Sequence, residues 1–201
     1  MQRTEPEPEP GPLDAVPNRR WRLNGRVALV TGASAGLGGR FARVLHRAGR
    51  VAWRRPAGER LDKLPRQCGS RVEAVAGDIT DPCPRQTLVE DLQRAGGLDV
   101  LVNNAGICGQ GPLEDQSLGD LRQVIEVNLT SVLDLCRLTA PLLLASPAAS
   151  VINIASMYGL VASRSLMAAY NASKGAVVSF TRHLAAQWDG RGVRVNALAP
   201  G

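Results

Sequence analysis

The chain has 201 residues, 44% of them apolar but only 3% aromatic, and its 24 Lys and Arg outnumber 18 Asp and Glu for a formal charge of +6. That length suits one domain with a core of Val, Leu, Ile and Ala rather than of rings. The arginines are spread along the chain apart from a cluster at Arg19, Arg20, Arg22 and Arg26, and no helix-turn-helix, zinc or aromatic-platform pattern goes with them, which argues against a nucleic-acid partner.

The first stretch, MQRTEPEPEPGP, lacks the apolar centre of a signal peptide, and its Glu-Pro alternation supports neither helix nor strand. Residues 1–20 are therefore expected to be a disordered extension, followed by one domain over residues 21–201. No apolar run reaches membrane-spanning length, the best being residues 142–145 after Pro141. Cys68, Cys83, Cys108 and Cys136 show no C-x-x-C pairing and no neighbouring histidines, so no metal site and no disulfide framework is expected, and reduced thiols fit a cytoplasmic protein.

From Val27 onward, apolar runs that read as buried strands fall at residues 27–30, 51–53, 72–76, 98–102, 151–154 and 193–197. Helical spacing lies between them. Leu37, Phe41, Val44, Leu45 and Ala48 share one helix face, as do Leu121, Ile125, Asn128, Val132 and Leu135. Strands alternating with helices imply a parallel sheet covered on both faces, with ligands beyond the carboxyl ends of the strands.

Three groups of residues sit at those strand ends. The first strand runs into TGASAGLG, where Gly32, Gly36 and Gly38 lead into a helix. Glycines there let backbone approach a pyrophosphate, and the helix N-terminus offers unpaired N–H groups. The fourth strand runs into Asn103, Asn104, Ala105 and Gly106, small and polar residues against which a nucleotide can lie. Asn128 interrupts an apolar stripe, which demands a partner for its amide, whether structural or functional. Ser156 follows the fifth strand, and Tyr170 and Lys174 in AAYNASKGAV stand four apart on one helix face. A phenol titrates near pH 10, and an adjacent cation favours its ionised form.

In this order TGASAGLG, NNAG, Asn128, Ser156 and YNASK resemble the short-chain dehydrogenase/reductase family from about Leu23 to Gly201. The resemblance implies a Rossmann-type doubly wound parallel sheet with helices on both faces. Six strands would be present in the order 3-2-1-4-5-6 and a seventh missing. It also implies NAD(P) as cofactor and reversible hydride transfer between nicotinamide and an alcohol or ketone. Tyr170 would be the general acid/base, Lys174 would lower its pKa and bind the nicotinamide ribose, and Ser156 would hydrogen-bond the substrate oxygen. Asn128 would position a water linking Lys174 to solvent. Gly32, Ser34, Gly36, Leu37 and Gly38 would cradle the cofactor, Asp78 and Ile79 would contact adenine, and Asn104, Ala105 and Gly106 would line it. Pro200 and Gly201 match the turn against which nicotinamide packs. A homodimer or homotetramer, joined through the helices of Asn128 and Tyr170, is a further family expectation.

The chain departs from the family pattern in three places. Thirteen residues separate Ser156 from Tyr170, one more than usual, with the extra one in Ser163-Arg164-Ser165. The second strand is short, and at its end no Asp or Glu precedes Glu59, while Arg54 and Arg55 lean the cofactor towards NADP over NAD. Finally, the sequence stops at Pro200-Gly201, where the family continues into a substrate lid and a seventh strand. The expectation is a C-terminally incomplete member, either an active oxidoreductase or an idle dinucleotide-binding fragment.

Overall fold

A computed structural model describes residues 23–55, 72–76 and 78–201. The extension expected over residues 1–20, and with it Glu59 and Cys68, lies outside the described residues. Six strands, β1 (Leu23–Thr31), β2 (Gly49–Arg55), β3 (Val72–Ala76), β4 (Val100–Asn103), β5 (Ala149–Ile154) and β6 (Val193–Leu198), form one sheet. All neighbours pair in parallel, in the order β3-β2-β1-β4-β5-β6. The helices are α1 (Gly36–Ala48), α2 (Pro82–Arg94), α3 (Leu118–Ile125), α4 (Ser131–Ala145) and α5 (Ala168–Gln187).

Successive side chains of a strand point to opposite faces, and the apolar runs use both. Val27, Leu29, Leu101 and Val151 join Leu88 and Leu92 of α2, Leu135 and Leu143 of α4 and Leu184 of α5 in one cluster. Ala28, Val30, Val100 and Val102 point the other way, onto Ala42, Phe41 and Leu45 of α1. The result is a Rossmann-like α/β fold, its parallel sheet buried on both faces at the central strand β4. Leu29, Leu88, Leu101 and Leu143 are fully buried, each worth ~2 kcal/mol against exposure.

Several boundaries differ from the apolar pattern. β2 has seven residues and includes Arg54 and Arg55, because it pairs with β1 on one side and β3 on the other. Backbone ladders define it, whatever the side chains. β4 starts at Val100, two residues after the buried Leu98, and takes in Asn103. The inward face of α1 is rotated from the expected one. Leu37 is 49% and Val44 38% exposed, whereas Gly38, Gly39 and Ala42 are buried. Small residues let this helix lie close to the sheet, and the larger ones turn outward.

α3 and α4 are joined by a π-helical turn, Glu126–Thr130, into one helical stretch, Leu118–Ala145, of 28 residues. By length and composition it is long and apolar enough to cross a membrane, which the apolar runs had not indicated. Its Val124, Asn128, Val132, Leu135 and Thr139 are nonetheless buried, and Leu135 and Leu143 pack in the sheet's core. A core helix has this character.

Candidate active site

β1 ends at Thr31 and α1 begins at Gly36, and the loop between them is fastened to the end of β4. Thr31 Oγ1 accepts from the backbone N–H groups of Asn104 (2.9 Å) and Ala105 (3.0 Å). In return, Asn104 Nδ2 donates to the carbonyls of Thr31 (2.9 Å) and Gly32 (3.2 Å). A side chain at Gly38 is excluded by this clamp, since its Cβ would lie 2.3 Å from both Asn104 Nδ2 and Gly32 O. Gly36 is different. Its φ of +55° suits glycine, and a Cβ there would meet nothing within 4 Å. The first turn of α1 therefore opens onto free space.

That space is a cleft of about 1400 Å³ at the carboxyl ends of β1 and β4, the point at which strand order reverses. Gly32, Ser34, Gly36, Leu37 and Gly38 line it, as do Asp78 and Ile79 beyond β3 and Asn104, Ala105 and Gly106 beyond β4. An open helix N-terminus facing a cleft of this size fits a dinucleotide's pyrophosphate. The backbones of Arg54 and Arg55 close β2, and nothing is described of their side chains.

A second cavity, of about 440 Å³, shares Leu37, Asn104, Gly106 and Ile107 with the first. Ser156, Tyr170, Lys174, Pro200 and Gly201 all line it. Ser156 caps the short 3-10 turn Met157–Gly159, its Oγ accepting from Tyr158 N at 3.2 Å. Pro200 O accepts from Met157 N at 2.9 Å, which ties the turn after β6 to the serine's own segment. Tyr170 sits in the first turn of α5, and Lys174 Nζ stands 5.6 Å from the centroid of its ring. The lysine is 4% exposed and donates to Ile154 O at 2.7 Å, and burial pushes its pKa from 10.5 down to about 8. The remaining wall is largely apolar and sulfur-bearing, with Met157, Met167 and the exposed Cys108, whose Sγ lies 2.9 Å from Met167 Sδ. The extra residue between Ser156 and Tyr170 is taken up outside the cavity, where Ser163, Arg164 and Ser165 are exposed and Ser165 N donates to Ser163 Oγ at 3.0 Å.

Asn128 does not line either cavity. It is fully buried in the π-helical turn, a feature that recurs at functional sites. Its Oδ1 accepts from Ile107 N (2.8 Å), and its Nδ2 donates to Ile107 O (2.9 Å) and Ser173 Oγ (3.0 Å). Ser173 Oγ in turn donates to Tyr170 O at 2.7 Å. A Cβ on Gly106 would lie 3.3 Å from Asn128 Oδ1 and 3.4 Å from Lys174 Nζ, so the two polar atoms flank the same bare stretch of backbone.

Sequence reasoning missed Thr31 and Ser173, whose hydroxyls join segments far apart in the chain. It also missed a buried amide chain. Asn103 Nδ2 donates to Asn153 Oδ1 (2.8 Å), and Asn153 Nδ2 donates to Thr181 Oγ1 (2.9 Å), linking β4, β5 and α5. Polar residues within or at the end of apolar runs, such as Asn153 between Ile152 and Ile154, were the signal available. Among the described residues no group of three or more His, Cys, Asp or Glu side chains is placed to hold a metal ion.

The sequence pattern of the short chain dehydrogenase family matches residues 26–201. The chain belongs to that family. Among curated relatives, galactitol 2-dehydrogenase (L-tagatose-forming) of Cereibacter sphaeroides is 36% identical over 184 residues, 90% of this chain and 72% of that protein. D-threitol dehydrogenase of Mycolicibacterium smegmatis is 35% identical over 90% of this chain and 71% of that one. Among solved structures, an NAD(P) dependent gluconate 5-dehydrogenase from Beutenbergia cavernae, with bound NADP at low occupancy, is 41% identical at a TM-score of 0.80, covering 90% of this chain and 74% of that one. A short-chain dehydrogenase from Streptomyces avermitilis superposes at a TM-score of 0.82 with 33% identity, covering 88% of this chain and 65% of that one.

Proposed function

We propose that the protein is an NAD(P)-dependent oxidoreductase that interconverts a secondary alcohol and a ketone, with Tyr170 as its general acid/base. The observation that carries this reading is the convergence of Ser156, Tyr170 and Lys174 on one cavity that opens into the glycine-loop cleft. Family membership and the dinucleotide named for the Beutenbergia relative support it.

The open first turn of α1 at Gly36 would receive the pyrophosphate, Asp78 and Ile79 the adenine, and Pro200 and Gly201 the nicotinamide end. The bound nicotinamide supplies or accepts the hydride. The protein's own part is to hold the reacting oxygen and move a proton. Ser156 Oγ already accepts from Tyr158 N, so its O–H is left to donate to the substrate oxygen as charge builds there. Tyr170 gives its phenolic proton to that oxygen in reduction and takes it back in oxidation. Lys174 uses one N–H on Ile154 O and keeps two for the cofactor's ribose and the phenol oxygen. Its cation stabilises the negative charge that develops on the tyrosine oxygen. Asn128 orders the backbone at Ile107 and, through Ser173, the turn that bears Tyr170.

The deciding assay follows oxidation of NADPH and of NADH in the presence of aliphatic, aromatic and polyhydroxylated ketones, with cofactor binding measured separately by calorimetry. Turnover with at least one ketone is the expected result. Tight cofactor binding with no turnover of any ketone would instead favour an idle dinucleotide-binding protein.

A further inference from the structure

The turn after β3, Asp78-Ile79-Thr80, lines the large cleft and is held from two sides. From within, Asp78 Oδ1 accepts from Thr80 N and Thr80 Oγ1, both at 2.8 Å. From outside the turn, Ile79 O accepts from Arg85 Nη1 at 2.9 Å. Arg85 belongs to α2 and is only 4% exposed. Its Nε lies 2.8 Å from Asp134 Oδ2 on α4, an ion pair whose N–H is not aligned for a hydrogen bond, while Asp134 Oδ1 accepts from Arg137 Nε at 2.9 Å. A guanidinium buried between two helices thus reaches the wall of the cleft.

Stability alone is a poor reason for such a pair, because desolvating two charges offsets their attraction and apolar residues of similar volume do as well or better. An apolar pair cannot donate to a carbonyl. The planar fork of arginine can face a carboxylate with one edge and a backbone oxygen with another, and a lysine's point charge cannot fix both at once. We propose that Arg85, clamped by Asp134, is a positioning residue for cofactor binding: it fixes the Ile79 peptide and so presets the Asp78-Ile79 turn to receive the adenine half of the dinucleotide. The proposal rests on the cofactor reading above, and it assigns Arg85 no contact with substrate or reacting atoms.

The test compares the wild-type chain with the Arg85→Leu/Asp134→Leu double variant, which removes both charges and strands neither, and with Arg85→Lys. NADPH, NADH and reduced nicotinamide mononucleotide, which lacks the adenosine half, are titrated by calorimetry, and thermal unfolding is recorded alongside. The double variant is expected to unfold at the wild-type temperature and to bind the mononucleotide as the wild type does, with dinucleotide Kd raised about tenfold, the equivalent of one charge-assisted hydrogen bond. KM for the dinucleotide should rise by the same factor with kcat unchanged. Arg85→Lys should recover only part of the loss. Equal weakening of mononucleotide and dinucleotide, or no weakening of either in a folded double variant, overturns the proposal. If the double variant does not fold, dinucleotide binding by Arg85→Lys at wild-type strength overturns it, and weakened dinucleotide binding with the mononucleotide unaffected supports it. A wild-type chain that binds neither dinucleotide refutes the cofactor reading itself, and this inference with it.

Discussion

Lys174 is an ammonium group buried to 4% exposure in the wall of the smaller cavity, and that burial draws its pKa from 10.5 down to about 8. Between those two values the unfolded chain binds more protons than the folded one, so this residue makes stability rise with pH across that window. The charged form at neutral pH is therefore a burden of about 3 kcal/mol, which the fold carries for its site. Chemical denaturation of the wild type and Lys174→Met at pH 7 and pH 10 should show the wild type gaining on the variant at the higher pH. A gap independent of pH would mean that the ammonium is hydrated after all. On the proposed reading Tyr170 carries the chemistry, and it is only partly buried. Tyr170→Phe should abolish NADPH-dependent ketone reduction while leaving cofactor Kd within about twofold, as expected for a group that acts only on the reacting proton. A mutant that kept most of its rate would remove the acid/base assignment.

At the level of elements, α5 does not hold its two site residues by itself. Its first turn is fixed through Ser173 to the π-helical turn, and its middle through Thr181 to β5 and β4. Ser173→Ala leaves one donor of the buried Asn128 amide without a partner, at a cost of about 1–3 kcal/mol. Thermal unfolding should show that loss, and steady-state assays a lower kcat with cofactor KM little changed. An unaltered kcat would show that Tyr170 does not depend on this tie. Much of the architecture was legible in the sequence, because strands buried on both faces leave continuous apolar runs and TGASAGLG marks where strand turns to helix. Less was legible where geometry and not polarity decides. Leu37 and Val44 fit an inward helix face by spacing, yet the close approach of Gly38 and Ala42 turns them outward. Asn128 announced itself as a polar break in an apolar stripe, but its partners, Ile107 and Ser173, lie 21 and 45 residues away and no local pattern names them. Arg85 and Asp134, 49 residues apart, read as ordinary charges on two separate helices and become a pair only when those helices pack.

For the whole molecule, the reversal of strand order between β1 and β4 gathers residues from seven separate stretches of chain around one continuous opening. On the proposed reading, the choice between the two dinucleotides falls to its β2 side, where the backbones of Arg54 and Arg55 close the strand beside Thr31. Replacing both with Ser should weaken NADPH binding by tenfold or more, about 1.4 kcal/mol per decade, and leave NADH nearly unaffected. Equal losses for the two would remove the reason for preferring NADP. The opening also has a thiol at its edge. Cys108 is exposed beside Met167, while Cys136 is buried with its thiol pushed up to about 12 and does not react at ordinary pH. With Cys83 and Cys68 changed to Ser, a maleimide dye would attach at one place only, turning the rim of the cavity into an optical gauge of what enters it, readable without any turnover.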